Sequence, residues 1–236
     1  DAFISLGTSG VIFVVSDTLR FSPESGVHTF CHALPGRWHQ MSVMLSAASC
    51  LRWVCNLLSV SENQLMGEIE QLTGDELCHA PLFLPYLSGE RTPHNDPQAS
   101  GSFFNLRHET ARALLGYAVI EGVAFGLADG LEVLGNSRIA QCSLTGGGAR
   151  SAVWAQLIAD VLMIPIVTHP ASSSGALGAA RLAWLADGGT EFNVCLKPSV
   201  VARYMPRTER TTWLSQRRKL FQLLYKQQQA ARVLLP

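Results

Sequence analysis

The stretch that decides the fold is LTGGGARSAVWAQL, residues Leu144 to Leu157. An apolar, strand-like run ends at three consecutive glycines, and a helical pattern begins near Ser151. Ordering a glycine costs more backbone entropy than ordering any other residue, so three glycines here indicate a close approach to the main chain. Amides at such a turn, with the positive end of the following helix, suit a phosphate or the ribose edge of a nucleotide. A plain tight connection is equally compatible with this stretch taken alone.

Two familiar phosphate-binding patterns do not fit these glycines. They do not form GxGxxG, and neither Lys-Ser nor Lys-Thr follows them. The dinucleotide fingerprint and the P-loop are therefore excluded at this position.

A second glycine-bounded turn lies near the start of the chain. The run FISLGTSGVIFVVS, Phe3 to Ser16, predicts two strands rich in β-branched residues, joined as a hairpin by residues 7–10. Residues 27–32 predict a third strand that would complete an antiparallel meander. The turn is either ordinary hairpin chemistry or a site where amides and the hydroxyls of Thr8 and Ser9 close around phosphate oxygens.

Helical periodicity dominates the middle of the chain. One apolar helical face is predicted from Met44, Ala48, Leu51, Cys55 and Leu58. A more polar, superficial helix follows at 62–72, and a short strand at 81–85 enters a long loop, 86–101. Residues 110–134 predict a central helix with a line of small residues that lets another backbone approach: Ala118, Gly122, Gly126 and Gly130.

Strands and helices alternate in the second half of the chain. The pattern predicts strands at 139–144 and 164–167, helices at 151–162 and 172–185, and an amphipathic terminal helix at 208–234. Such alternation after leading strands predicts an α/β sheet covered by helices. The small residues of SSSGALGAA, Ser172 to Ala180, include N-cap candidates. They serve either close packing against the sheet or a pocket beside Gly146 to Gly148.

Composition narrows the class of protein. Of 236 residues, 47% are hydrophobic and 15% are charged, so the chain can bury a large core. Its 18 basic and 18 acidic side chains balance, so it has no net electrostatic field that would attract nucleic acid or an acidic membrane.

The six cysteines lack CxxC spacing, which predicts buried free thiols in a cytoplasmic protein. The longest apolar segment, 113–127, is too short to span a bilayer comfortably. Eight basic residues from Arg203 onward predict a solvated helix face.

Three titratable residues have both structural and functional interpretations. Glu90 and Arg91 either form a salt bridge that pins the long loop, which is the favoured interpretation, or face a partner domain as a pair. His94 is favoured as a hydrogen-bonding turn residue over a catalytic group. Glu121, inside an apolar helix, requires a buried partner or a raised pKa, and a structural hydrogen bond to the neighbouring loop backbone is favoured over a metal or substrate role.

Five segments together carry a resemblance to a known family. They are SLGTSG (Ser5–Gly10), FLPYLSGERTPHNDPQASG (Phe83–Gly101), VIEG (Val119–Gly122), TGGGARS (Thr145–Ser151) and GALGAARLA (Gly175–Ala183). In content and order they resemble the C-terminal half of the FGGY carbohydrate kinases, from about Phe3 to Trp184.

The resemblance implies a ribonuclease-H-like α/β domain of the actin/Hsp70/sugar kinase superfamily, with a mixed sheet flanked by helices. Residues 1–236 would form the C-terminal nucleotide-binding domain. Such kinases transfer the γ-phosphoryl group of ATP, with Mg²⁺, to a sugar hydroxyl, here D-xylulose to give D-xylulose 5-phosphate. By matched position, Gly7 and Thr8, with Ser9 beside them, would contact phosphate. The adenosine end would meet Gly146, Gly147, Gly148 and Ser151.

The resemblance also implies what this chain would lack. The general-base Asp of such kinases would lie upstream of residue 1, and the sugar would be held mainly by an absent N-terminal domain. Phosphoryl transfer by this piece alone is therefore not expected. The exposed face left by that domain would favour a homodimer. A kinase for another substrate, such as glycerol or gluconate, and a non-catalytic actin/Hsp70-like nucleotide-binding module stay open as alternatives.

Overall fold

The computed structural model describes residues 1–21, 23–135, 139–170 and 175–234. Within these ranges a seven-stranded sheet has the order β3-β4-β2-β1-β7-β8-β9. Its strands are β1 (Ala2–Leu6), β2 (Gly10–Ser16), β3 (His28–Cys31), β4 (Trp38–Met44), β7 (Cys142–Thr145), β8 (Ile166–Thr168) and β9 (Ala202–Tyr204). A separate two-stranded sheet pairs β5 (Leu82–Leu84) with β6 (Ser102–Phe104).

The large sheet is mixed. β1 and β2 form the predicted antiparallel hairpin, in register from Ala2 opposite Val14 to Leu6 opposite Gly10. β1 also pairs in parallel with β7, Ser5 opposite Thr145, and β7 pairs in parallel with β8. Parallel pairing of β1 with β7 brings the two segments that follow them to the same edge of the sheet.

Eight α-helices flank the strands within the described residues. They are α1 (Ala48–Leu58), α2 (Glu62–Glu70), α3 (Gly74–Leu77), α4 (Arg112–Val133), α5 (Ala152–Leu162), α6 (Gly175–Ala186), α7 (Glu191–Val194) and α8 (Thr211–Ala231). Helix α4 contacts α1, α2, α5, β2 and β4. The other sheet face, at Phe3 and Phe13, borders a cavity shared with Arg181 of α6 and Glu191 of α7. The predicted mixed sheet flanked by helices is confirmed.

Helix α4 is the buried centre of the domain, as its glycine line predicts. A Cβ at Gly122 would overlap the carbonyl oxygen of Phe83, and one at Gly130 would lie 2.7 Å from the hydroxyl of Ser42. By length and composition α4 could cross a membrane, but 89% of its most apolar window is buried inside the fold, and core helices of soluble proteins pass the same test.

The sequence pattern misses strands β4, β6 and β9. Met44, predicted on the face of the first helix, ends strand β4 instead. The predicted meander would pair β3 directly with β2, but β4 lies between these two strands, so that part of the prediction is wrong. The alternation of apolar and polar residues that marks a strand is weak in β4, because two of its buried positions are occupied by the polar Gln40 and Ser42. The serine N-cap candidates at 172–174 lie outside the described residues.

The predicted solvated basic face is wrong for several of its arginines. Arg217 of α8 pairs with Glu121, which is fully buried, through contacts of 2.6 and 2.7 Å. Arg218 pairs with Asp129, and Arg207 with Asp160. The first two ion pairs fix α8 against α4, and the third fixes the segment before α8 against α5, because each removes a buried carboxylate from isolation. The structural interpretation of Glu121 is confirmed, with an arginine rather than loop backbone as its partner.

The long loop 86–101 is folded onto the core. Glu90 is 2% exposed and accepts hydrogen bonds from the amides of Leu45 and Arg91. Burial raises its pKa to about 7. His94 contacts the hydroxyl of Tyr86 at 3.0 Å, and burial lowers its pKa to about 4. Both residues therefore have structural partners, as predicted, but among the described residues Glu90 is held by backbone amides and not by the predicted salt bridge to Arg91.

The cysteines match the prediction in part. All six are free, but only three are buried. Burial raises the pKa of Cys50 and Cys142 to about 12, so both thiols stay protonated. Cys31 and Cys78 are exposed.

Candidate nucleotide-binding site

Two glycine-bounded turns come together at one edge of the sheet. Residues 7–9 follow β1, and Gly146 begins the turn after β7. Because β1 and β7 are parallel neighbours, both turns lie at the carboxyl ends of adjacent strands. In open α/β sheets, ligands bind in the crevice at such ends.

One cavity of about 860 Å³ contacts both turns. Its walls come from the turn after β1, from the starts of α1 and α5, and from one side of α2. The volume falls within the usual range for small-molecule sites of roughly 300–1,000 Å³. Of the predicted site residues, those that line it are Gly7, Thr8, Gly147, Gly148 and Ser151.

The turn after β1 presents donors rather than acceptors. The Thr8 carbonyl accepts from the amide of Ala47 at 2.9 Å, and the Gly7 carbonyl accepts from that of Ala48 at 2.8 Å. The Ser9 carbonyl accepts from Gly7 N at 3.1 Å. Among the hydrogen bonds between described residues, none uses the amide of Thr8 or Ser9. Such free amides are the groups that a phosphate oxygen requires.

Two of the predicted contact residues do not line the cavity. Ser9 lies beyond its wall, and Gly146 belongs to the packing of the turn. Gly146 has φ +94°, and a Cβ there would lie 2.6 Å from the carbonyl oxygen of Leu6. Glycine is required at 146 by the fold, whatever binds nearby.

The other three glycines of the two turns, Gly7, Gly147 and Gly148, differ in whether packing requires a glycine. A Cβ at Gly148 would lie 2.5 Å from the Leu6 side chain, so its absence permits close packing. At Gly147 the nearest atom to a Cβ would be the Arg150 guanidinium at 3.8 Å, and at Gly7 only the Ser9 carbonyl comes near, at 3.7 Å. The protein therefore gives no steric reason for glycine at 7 or 147, and both face the cavity.

Ser151 has a structural role beside its predicted one. Its Oγ accepts from the amide of Trp154 at 3.1 Å and so caps α5. The hydroxyl proton stays available to a ligand in the cavity. Arg150 also lines the cavity, and its Nε donates to the Gly147 carbonyl at 3.3 Å.

Sequence reasoning assigned no function to α2, yet α2 forms a wall of the cavity. Asn63, Met66 and Glu70 line it, and Glu62 pairs with Arg52 at 3.4 Å. Their sequence pattern marks only an ordinary polar helix, so no local signal could have found this wall.

The predicted pocket role of the α6 small residues is wrong among the residues described. No residue of α6 lines the cavity beside Gly147, and the segment 175–180 is exposed. The alternative, close packing against the sheet, is also absent for 175–180, because α6 is nowhere buried and contacts mainly α7.

The described residues contain no cluster of three His, Cys, Asp or Glu side chains able to hold a metal ion. The carboxylates of the cavity, Glu62 and Glu70, stand apart from the turn at Thr8 on a different element.

Comparison with known proteins defines the class. The model of the C-terminal domain of the FGGY family of carbohydrate kinases matches residues 2–186. The chain belongs to this family, whose members are ATP-dependent sugar kinases.

Named relatives narrow the class further. A xylulose kinase of Escherichia coli K12 is 47% identical over 232 residues, which cover 96% of this chain and 48% of that protein. A xylulose kinase of Klebsiella pneumoniae is 50% identical over 187 residues, covering 78% of this chain and 38% of that one. The crystal structure of a xylulose-type kinase ("xyloylose kinase") from Brucella ovis matches with TM-score 0.91 at 40% identity, over 97% of this chain and 48% of that chain. The chain spans about half the length of such relatives, or less.

Proposed function

We propose that this chain is the nucleotide-binding half of a kinase that transfers the γ-phosphoryl group of ATP to D-xylulose, giving D-xylulose 5-phosphate. The observation that carries the proposal is the pair Gly7 and Gly147. Both lack a steric reason to be glycine, and both face one cavity from two turns far apart in sequence. A bound molecule in close contact with both main chains explains this pair.

The nucleotide would lie across the cavity with its phosphates at residues 7–9. The free amide of Thr8, which lines the cavity, would donate to phosphate oxygens, and the amide of Ser9 would do so just outside the lining, because the carbonyls of that turn already have partners. The adenosine end would lie at Gly147 and Ser151, against the apolar part of the wall at Met66.

Catalysis is proposed to require the half of the relatives that this chain does not span. Asp1 is the only described carboxylate at the start of β1, and it contacts Lys197 at 3.3 Å. It borders a different cavity, the one that lies against Phe3 and Phe13 on the other face of the sheet. It is therefore unsuited to take a proton from a sugar at the nucleotide cavity. Transfer depends on aligning the acceptor and neutralising charge, and this chain would supply the nucleotide side of that arrangement. Mg²⁺ would arrive with the nucleotide phosphates.

The proposal includes a cytoplasmic location, in keeping with the free thiols. It also includes self-association of the isolated chain through exposed apolar side chains. Trp184 is 57% exposed, Phe192 87% and Leu196 61%. Sedimentation of the chain at several concentrations tests this part.

The test of the binding site is calorimetric titration of the chain with ADP and Mg²⁺. Gly147→Val should abolish binding, because its branched side chain enters open cavity space without a clash. Gly74→Val is the matched control, since a Cβ there also meets nothing within 4 Å and Gly74 lies outside the cavity. Equal ADP affinity in the Gly147→Val variant and the control would contradict the site. A substrate panel on the full-length enzyme separates xylulose from gluconate and glycerol.

A further inference from the structure

The turn proposed to bind phosphate is held from behind by the first residues of α1. Besides the amide of Ala47, the Thr8 carbonyl accepts from the Ser49 hydroxyl at 2.8 Å and from the Ser49 amide at 3.4 Å. Ala47, at the N-cap of α1, makes no side-chain capping bond. The carbonyls of Gly7 and Thr8 therefore replace a capping side chain for this helix.

This arrangement decides which polar groups of the turn face the cavity. A peptide group points its carbonyl and its amide in opposite directions, so a carbonyl turned toward α1 turns the next amide away from it. A carbonyl oxygen facing a phosphate would repel it, whereas an amide attracts it. Holding the Thr8 carbonyl against α1 therefore keeps its oxygen away from a phosphate bound at the turn.

We infer that Ser49 is a positioning residue, whose hydroxyl locks the Thr8 carbonyl toward α1 and so keeps an acceptor oxygen of the turn away from the phosphates of the nucleotide. The inference rests on the proposed function and names a residue that acts through the turn. Ser49 also lines the cavity, close to the turn that it holds.

A purely structural role of Ser49 makes a different prediction. If the hydroxyl only stabilised α1, its loss would lower thermal stability and weaken every ligand of the cavity alike. If it orients the turn, its loss weakens only ligands that carry phosphates. Adenosine and ADP share the same nucleoside and differ in this respect alone.

The experiment is titration of the wild-type chain and four variants with ADP and Mg²⁺, and separately with adenosine, accompanied by thermal melts. Ser49→Ala and Ser49→Cys remove the strong donor, Ser49→Thr keeps it, and Asn56→Ala, on α1 but outside the cavity, is the control. One lost hydrogen bond corresponds to a weakening of about 5- to 10-fold. We expect this loss for ADP with the first two variants, less than 2-fold change for adenosine, and recovery with Ser49→Thr.

The possible outcomes separate the two claims. An unchanged ratio of ADP to adenosine affinity in both donor-free variants overturns the positioning role and leaves the site intact. Failure of the wild-type chain to bind ADP overturns the proposed function and this inference with it.

Discussion

Removing the charge of Arg217 from α8 should strongly destabilise the fold. Arg217 is 12% exposed and its partner Glu121 is 0% exposed. Its guanidinium also donates to the carbonyls of Ala80 and Pro81, at 3.1 and 3.0 Å. Arg217→Met leaves a buried carboxylate without its cation, a change that costs about 3–5 kcal/mol. For a chain of this size the loss corresponds to a fall in Tm of roughly 6–20 °C.

The pH dependence of that loss follows from burial. Burial raises the pKa of Glu121, and Arg217 opposes that rise. Without the arginine the folded state binds a proton more tightly than the unfolded state, so its stability rises as pH falls. The destabilisation by Arg217→Met should therefore be smaller at pH 5.5 than at pH 8.

Urea unfolding monitored by circular dichroism measures these values. The control is Arg112→Met, whose partner Glu68 is 29% exposed and whose loss should cost at most about 1 kcal/mol. The double variant Arg217→Met, Glu121→Met should recover more than half of the loss, because no charge is then left buried. A loss below about 1 kcal/mol for Arg217→Met at pH 8 would refute this account of the ion pair.

Two further predictions concern stability. The pKa of Glu90 is raised to about 7, so the folded state holds its proton up to near-neutral pH and stability falls as pH rises from about 4.5 to 7. In urea unfolding, Glu90→Gln should reduce this fall in the free energy of unfolding by roughly 1–3 kcal/mol, and an unchanged fall would contradict the raised pKa of Glu90. Gly122→Ala places a Cβ against the Phe83 carbonyl and should cost about 2–3 kcal/mol, whereas Gly178→Ala, in open space on α6, should gain up to about 1 kcal/mol; equal melting temperatures for the two variants would contradict the packing of α4.

The parts of the fold that the sequence predicts are those with a local signal. The hairpin at Phe3 to Ser16 follows from β-branched strands around a short turn, and the central position of α4 follows from its glycine line. β4 has no such signal, because its inward side carries Gln40 and Ser42. Ser42 lies close against Gly130 of α4, which favours a small side chain at position 42.

The ion pairs of α8 and the division of roles among the site glycines depend on contacts between residues that are distant in sequence. Arg217 and Glu121 are 96 positions apart, so a basic run alone resembles a solvated face. The glycines at 146–148 look equivalent in sequence, yet 146 and 148 serve the packing against Leu6 and only 147 opens onto the cavity without constraint. That division depends on the neighbouring strand β1, which no local pattern reveals.

The most direct test of the central claim is an amide ¹H–¹⁵N titration of the chain with ADP and Mg²⁺, repeated with adenosine. If one nucleotide spans both turns, ADP shifts the amides of Thr8 and Ser9 together with those of Gly147 and Gly148, with one common affinity. Adenosine should shift only the second pair. If ADP shifts the amide signals of only one turn, or shifts the two turns with different affinities, the claim is contradicted.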